Sequence, residues 1–331
     1  MCALRHLSRA PGRRREGSLT LGTSAVCVFP GQGAQRVGMG RDLAESFACA
    51  RVVFEEVDER LGFGLSRLCF EGPSDKLALT EHAQPAILAA SIAAYRVLQE
   101  TIGLAPLAVA GHSLGEWSAL VAAKVLDLGD AAHGVRERGR LMQRAVPVGL
   151  GAMAALFGGE LADVEALCAE AADGEVVTPA NLNGGGQIVV AGHAGAVDRV
   201  IAAAGTRRLR AQKLPVSAPF HCALMQPAAD GLGPVLDAIR FAEPALPVVT
   251  SVEARRIASA REVPGLLQRQ VTAPVRWEET VRALGAFGAQ VAVEVGPGRT
   301  LAGLMKRILP ELSCIPAGDA EGVEKVRGAF A

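Results

Sequence analysis

The chain has 331 residues, 50% of them hydrophobic and 21% charged, and its 34 basic side chains balance 34 acidic ones. That length buries a sizeable core as one large domain or two smaller ones, while net neutrality and 4% aromatic content argue against a nucleic-acid binder built on overall charge or base stacking. Seven cysteines without a C-x-x-C pair suggest neither a disulfide framework nor a metal site, and no apolar run is long enough to span a membrane.

Residues 1–24 carry Arg5, Arg9, Arg13, Arg14 and Arg15 against a single acid, Glu16, and read as a disordered Arg-rich tail rather than a targeting peptide. With cysteines suited to a reducing compartment, the expected location is cytoplasmic. From residue 25 onward short apolar runs alternate with helical stretches. Residues 26–29 form a candidate strand ending at Pro30-Gly31-Gln32-Gly33, and helices are predicted over 41–60 and 83–102. A strand over 107–110 and a helix over 118–125 flank Gly111-His112-Ser113-Leu114-Gly115, a G-x-S-x-G sequence. On a sharp strand-to-helix turn, such a serine has an exposed hydroxyl and a helix N-terminus beneath it. The plainer reading is a glycine-rich turn that happens to contain serine.

A helix over 130–146, capped by Asp130, comes next. Between 151 and 214 the order becomes strand 152–157, helix 161–171, strands 176–182 and 187–191, helix 194–204 and strand 208–214, a ferredoxin-like β-α-β-β-α-β unit. Strands at 246–250 and 291–295 and a helix at 299–309 resume the first rhythm. The predicted fold is α/β: a large parallel-sheet, hydrolase-like domain over 25–148 and 216–331, with an inserted ferredoxin-like small domain over 149–215. The cleft between two such bodies is where ligands usually bind.

A serine hydroxyl needs a base. Of the histidines, His193 reads as solvated in a turn and His112 points away from its neighbour Ser113. His221, where the chain returns from the small unit, is the best candidate. Arg138 lies beside the apolar stripe Val135, Gly139, Met142 and Val146. Turned inward, it needs a carboxylate, and none lies at i±4; a carboxylate on a substrate satisfies its planar fork, and snorkelling at the helix edge is the equal alternative. Cys222, next to His221, reads as a small buried hydrophobe.

Phe29-Pro30-Gly31-Gln32-Gly33-Ala34-Gln35, Gly111-His112-Ser113-Leu114-Gly115-Glu116, Arg138-Gly139-Arg140-Leu141-Met142-Gln143, Asn181-Leu182-Asn183, His221-Cys222-Ala223-Leu224-Met225, Gln270 and Glu294-Val295-Gly296-Pro297-Gly298 follow one another in an order that resembles the malonyl-CoA:acyl carrier protein transacylase family. The resemblance implies Ser113 as nucleophile and His221 as base. It implies Gln270 as the residue whose backbone carbonyl orients His221, and the backbone N–H groups of Gln32 and Leu114 as an oxyanion hole. Arg138 would hold the malonyl carboxylate, and Phe220 and Asn183 would belong to the substrate site. It implies malonyl-CoA and acyl carrier protein as partners, with coenzyme A as cosubstrate, no tightly bound cofactor and no metal. Phe220 stands where the fatty-acid enzymes commonly carry serine and resembles malonyl-selecting polyketide acyltransferases. Arg207, Arg208, Arg210 and Lys213 are the candidate surface for an acidic carrier. A thioesterase on an α/β-hydrolase fold would need a histidine nearer the C-terminus, and none follows His221; a docking module without activity would not need Ser113, His221 and Arg138 together.

Overall fold

The structure is a computed structural model that describes residues 23–216 and 218–331; the predicted tail over 1–24 lies almost wholly outside the described residues. Its strands are β1 (Ala25–Phe29), β2 (Ala108–Gly111), β3 (Gly151–Phe157), β4 (Val177–Gly184), β5 (Gln187–His193), β6 (Arg210–Lys213), β7 (Val248–Val249), β8 (Val291–Val295) and β9 (Cys314–Ala317). Five of them form a parallel sheet in the order β7-β2-β1-β8-β9. β1, β2 and β8 are buried along their whole length and covered by helices on both faces; β1 and β2 are continuously apolar, and the one acid in β8, Glu294, accepts from the backbone N–H groups of Leu301 and Ala302. The other four form an antiparallel sheet, β4-β5-β3-β6, whose helices Leu161–Ala172 and Ala194–Ala204 close a separate small core around Leu167, Val190 and Val200. Numbered within that unit the sheet order is 2-3-1-4, the ferredoxin-like arrangement expected from the sequence.

Several boundaries differ from the sequence reading. The helix predicted over 41–60 is two, Arg41–Ser46 and Ala48–Leu61, broken at Phe47, whose backbone is extended and whose ring packs against the main core. The helix carrying Arg138 is Leu128–Ala145, and its N-cap is Asp127, which accepts from Gly129 N at 3.1 Å. Asp130 lies instead in the first turn, paired with Arg60 at 3.1 Å. The edge strands β6 and β7 are shorter than predicted. β9 and the final helix Ala320–Phe330 were not predicted: Pro316 interrupts the strand pattern, which an edge strand tolerates, and the helix buries only Gly322, Val323 and Val326.

Candidate active site

β2 ends at Gly111, and the helix Gly115–Ala122 starts at once, closer to Ser113 than predicted. This tight turn explains both motif glycines. A Cβ at Gly111 would stand 1.9 Å from the carbonyl carbon of Gly115, and one at Gly115 would stand 2.0 Å from the carbonyl oxygen of Phe29 at the end of β1. Ser113 itself is left-handed, with φ 52°, a costly conformation for a residue with a Cβ that over-determined functional turns sustain.

Ser113 Oγ lies 2.7 Å from His221 Nε2, and His221 Nδ1 lies 2.8 Å from the carbonyl oxygen of Gln270. A carbonyl can only accept, so Nδ1 carries the proton and Nε2 accepts from the serine hydroxyl. His221 is also left-handed, with φ 62°. Burial, reinforced by the nearby Arg138 charge, lowers its pKa to about 3, so the resting imidazole is neutral.

Arg138 is 2% exposed. It donates from Nη1 to Gln84 Oε1 at 2.8 Å, and from Nη2 to Gln270 Oε1 at 3.0 Å and Ser113 Oγ at 3.2 Å. Its Nε is buried with no partner among the described residues. The inward reading therefore holds, but the direct partners are neutral acceptors, and burial lowers the guanidinium pKa to about 10. Its neighbours on the helix behave otherwise: Arg136 lies over the Phe63 ring, and Arg140 pairs with Glu81 and Glu137.

A cavity of about 650 Å³ opens over these groups, lined by Gln32, Ser113, Arg138, Met153, Phe220 and His221 among others. Leu114 lines it too, and among the described residues no partner takes the backbone N–H of Gln32 or Leu114. The Gln32 side chain is anchored on Thr80 Oγ1 at 3.2 Å. Asn183 stands behind the cavity wall, on His112, which lines it. Its Oδ1 accepts from His112 Nε2 at 2.9 Å, and it is Asn181 that reaches the cavity wall. His193 is not simply solvated, because its Nδ1 accepts from the backbone N–H of Val176 at 2.9 Å. Cys222 is buried, its thiol pKa pushed up to about 11, which suits a packed hydrophobe and not a nucleophile.

The basic candidate surface is partly neutralised. Arg207 pairs with Glu170, Lys213 with Asp198 at 2.6 Å, and Arg210 lies over the Phe157 ring. The sequence reading missed Gln84, Glu116 and Ser251. Glu116 was visible as the acid closing the serine motif, yet an acid in the first turn of a helix is common enough to carry no signal.

Residues 26–324 match the acyl transferase domain family. The chain belongs to this family. The acyltransferase is 47% identical over 294 residues to the malonyl CoA-acyl carrier protein transacylase of Escherichia coli (strain K12), a match covering 88% of this chain and 94% of the relative. Its fold matches the structure of the malonyl CoA-acyl carrier protein transacylase from Coxiella burnetii with a TM-score of 0.91 at 40% identity, covering 93% of this chain and 98% of that one. It also matches a malonyl-transacylase solved in complex with a type II polyketide synthase acyl-carrier protein, with a TM-score of 0.90 at 44% identity, covering 93% and 100%. The acyltransferase is thus an α/β enzyme with a five-stranded parallel sheet and a second, four-stranded antiparallel one.

Proposed function

We propose that this acyltransferase moves the malonyl group from malonyl-CoA to the phosphopantetheine thiol of acyl carrier protein, through an ester on Ser113, and so supplies fatty-acid synthesis. The observation that carries the reading is the meeting of Ser113, His221 and Arg138 in one cavity, with Arg138 Nη2 only 3.2 Å from the nucleophilic oxygen. As Ser113 Oγ attacks the thioester carbonyl, its proton passes to His221 Nε2. The carbonyl oxygen becomes an oxyanion, received by the free N–H groups of Gln32 and Leu114. Collapse of that intermediate breaks the C–S bond, and the departing thiolate takes the proton from His221. The carrier thiol then repeats the sequence in reverse, which makes the reaction ping-pong.

The Arg138 fork pairs with the free carboxylate of the malonyl group, one methylene from the reacting carbonyl, and replaces the weak contact with Ser113 Oγ. The Gln270 carbonyl holds His221 in the tautomer the reaction needs, in place of a triad acid. Coenzyme A is a cosubstrate, and none of these steps calls on a bound cofactor or metal. We read 149–215 as a small domain set into a catalytic domain formed by 25–148 and 216–331, with Met153 and Phe220 bringing their junction to the cavity. A second reading, a discrete malonyl acyltransferase of a polyketide pathway, is favoured by Phe220 in the cavity wall. A transfer assay decides between them: malonyl-CoA is supplied with fatty-acid and polyketide carrier proteins in parallel, and the fatty-acid carrier should be loaded with the higher kcat/KM. Preference for the polyketide carrier favours the second reading, and no loading of either contradicts both.

A further inference from the structure

Beneath Arg138 lies a buried carboxylate that the acyl-transfer steps above do not use. Glu116 is 1% exposed, and three donors converge on its Oε2: Ser251 N at 3.0 Å, Ser251 Oγ at 2.7 Å and Gln270 Nε2 at 2.7 Å. Burial raises its pKa, and the hydrogen bonds from Ser251, Thr250 and Gln270 offset only part of that rise; three donors on a single oxygen are what an ionised carboxylate collects. Gln270 and Ser251 are both fully buried. The Gln270 side chain therefore bridges two charged groups, its NH2 on Glu116 and its carbonyl oxygen on Arg138. Only that orientation works. A flipped amide would set its carbonyl against the carboxylate and its NH2 against the guanidinium.

A buried guanidinium with no counter-charge is very costly, while one in direct contact with a carboxylate has its fork already filled. The amide between them avoids both. Glu116 supports the Arg138 charge from a distance, and the atoms that touch Arg138 are neutral and can be displaced. We propose that Glu116 is a positioning residue for acyl-group selection: through the Gln270 side chain it holds the Arg138 fork beside Ser113 as a cation balanced but not paired, so that the fork is open to the carboxylate of the incoming acyl group. The inference rests on the malonyl-transfer reading above.

Two variants test it, each assayed with malonyl-CoA and with acetyl-CoA by formation of acyl-Ser113. Ratios taken on one protein cancel any loss of folded material. Glu116→Gln removes the charge and lets both amides adopt either orientation. Its malonyl-to-acetyl ratio of kcat/KM should fall about tenfold or more, the scale of one charge-assisted hydrogen bond. The exchange Glu116→Gln with Gln270→Glu keeps the charge but moves the carboxylate into contact with Arg138. There KM for malonyl-CoA should rise about tenfold or more relative to KM for acetyl-CoA, because the fork is occupied. An unchanged or increased malonyl-to-acetyl ratio in Glu116→Gln overturns the inference. So does an exchange variant whose relative KM does not move, and that measurement decides if the single variant fails to fold. A wild-type enzyme that takes acetyl-CoA as readily as malonyl-CoA would overturn the functional reading itself. A selective wild type whose variants keep that selectivity overturns only the role of Glu116.

Discussion

At the scale of single residues, Arg138 and His221 shape the reaction proposed for Ser113. Arg138 is held by neutral oxygens in a nearly dry site, so an acyl group without a carboxylate leaves it poorly satisfied. Sites built around such a buried polar partner reject analogues that lack it by large factors, and acetyl-CoA should be disfavoured by about 10³ or more. Arg138→Ala removes both the attraction and the penalty. Competition between malonyl-CoA and acetyl-CoA should show malonyl transfer lost and relative acetyl transfer gained; an unchanged ratio would remove Arg138 from the carboxylate site. His221 makes a separate prediction about pH. An ordinary histidine, with a pKa of 6.5, loses its capacity as a base as the pH falls through that value, whereas this one is lowered to about 3 by burial and the Arg138 charge. The neutral base persists as pH falls, and kcat/KM for acylation, which reports the free enzyme, should show no limb near pH 6.5. A limb there would mean that the imidazole is solvated in the working enzyme.

At the scale of elements, the strand-to-helix turn at Ser113 and the helix Leu128–Ala145 do the positioning. Asp127 caps that helix by accepting from Gly129 N, whereas Asp130 makes only an exposed ion pair with Arg60. Asp127→Ala should cost about 1 kcal/mol in denaturant unfolding, and Asp130→Ala about half that or less. The reverse order would restore the cap assignment made from sequence. That misplaced cap shows where sequence reading stops. The buried parallel strands and the β-α-β-β-α-β order were legible because both patterns are local and periodic. The break at Phe47 was not, since it is the ring's place in the core that interrupts an otherwise continuous helical pattern. Ser113, His221 and Arg138 were each legible as candidates: Ser113 from its motif, His221 from its place where the chain returns from the small unit, and Arg138 from its position on an apolar stripe. The Glu116–Ser251–Gln270 cluster was not, because its members lie 135 and 154 positions apart and no period links them. Asn183 was drawn into the substrate site by the family resemblance, while the structure gives its Oδ1 to His112.

At the scale of the whole molecule, the cavity draws on both sheets: β2 and its following turn supply Ser113, β3 supplies Met153, and the chain returning from β6 supplies Phe220 and His221. A neutral protein that receives an acidic carrier must do so on a local patch; of the four charges considered, acids pair with Arg207 and Lys213, while Arg210 is held over the Phe157 ring and Arg208 is exposed. Arg208→Glu should raise KM for the carrier by a few-fold at low salt, leave KM for malonyl-CoA in place, and lose its effect as salt rises; equal effects on both substrates would make the patch structural. All of these expectations presuppose a covalent malonyl enzyme. The most direct measurement is the mass of the intact protein, and of its Ser113 peptide, after brief treatment with malonyl-CoA and no carrier. One malonyl group per chain is expected, located on Ser113, released as carrier-bound thioester when carrier is added, and absent from Ser113→Ala. Malonyl found on another residue, or retained by Ser113→Ala, would contradict that expectation.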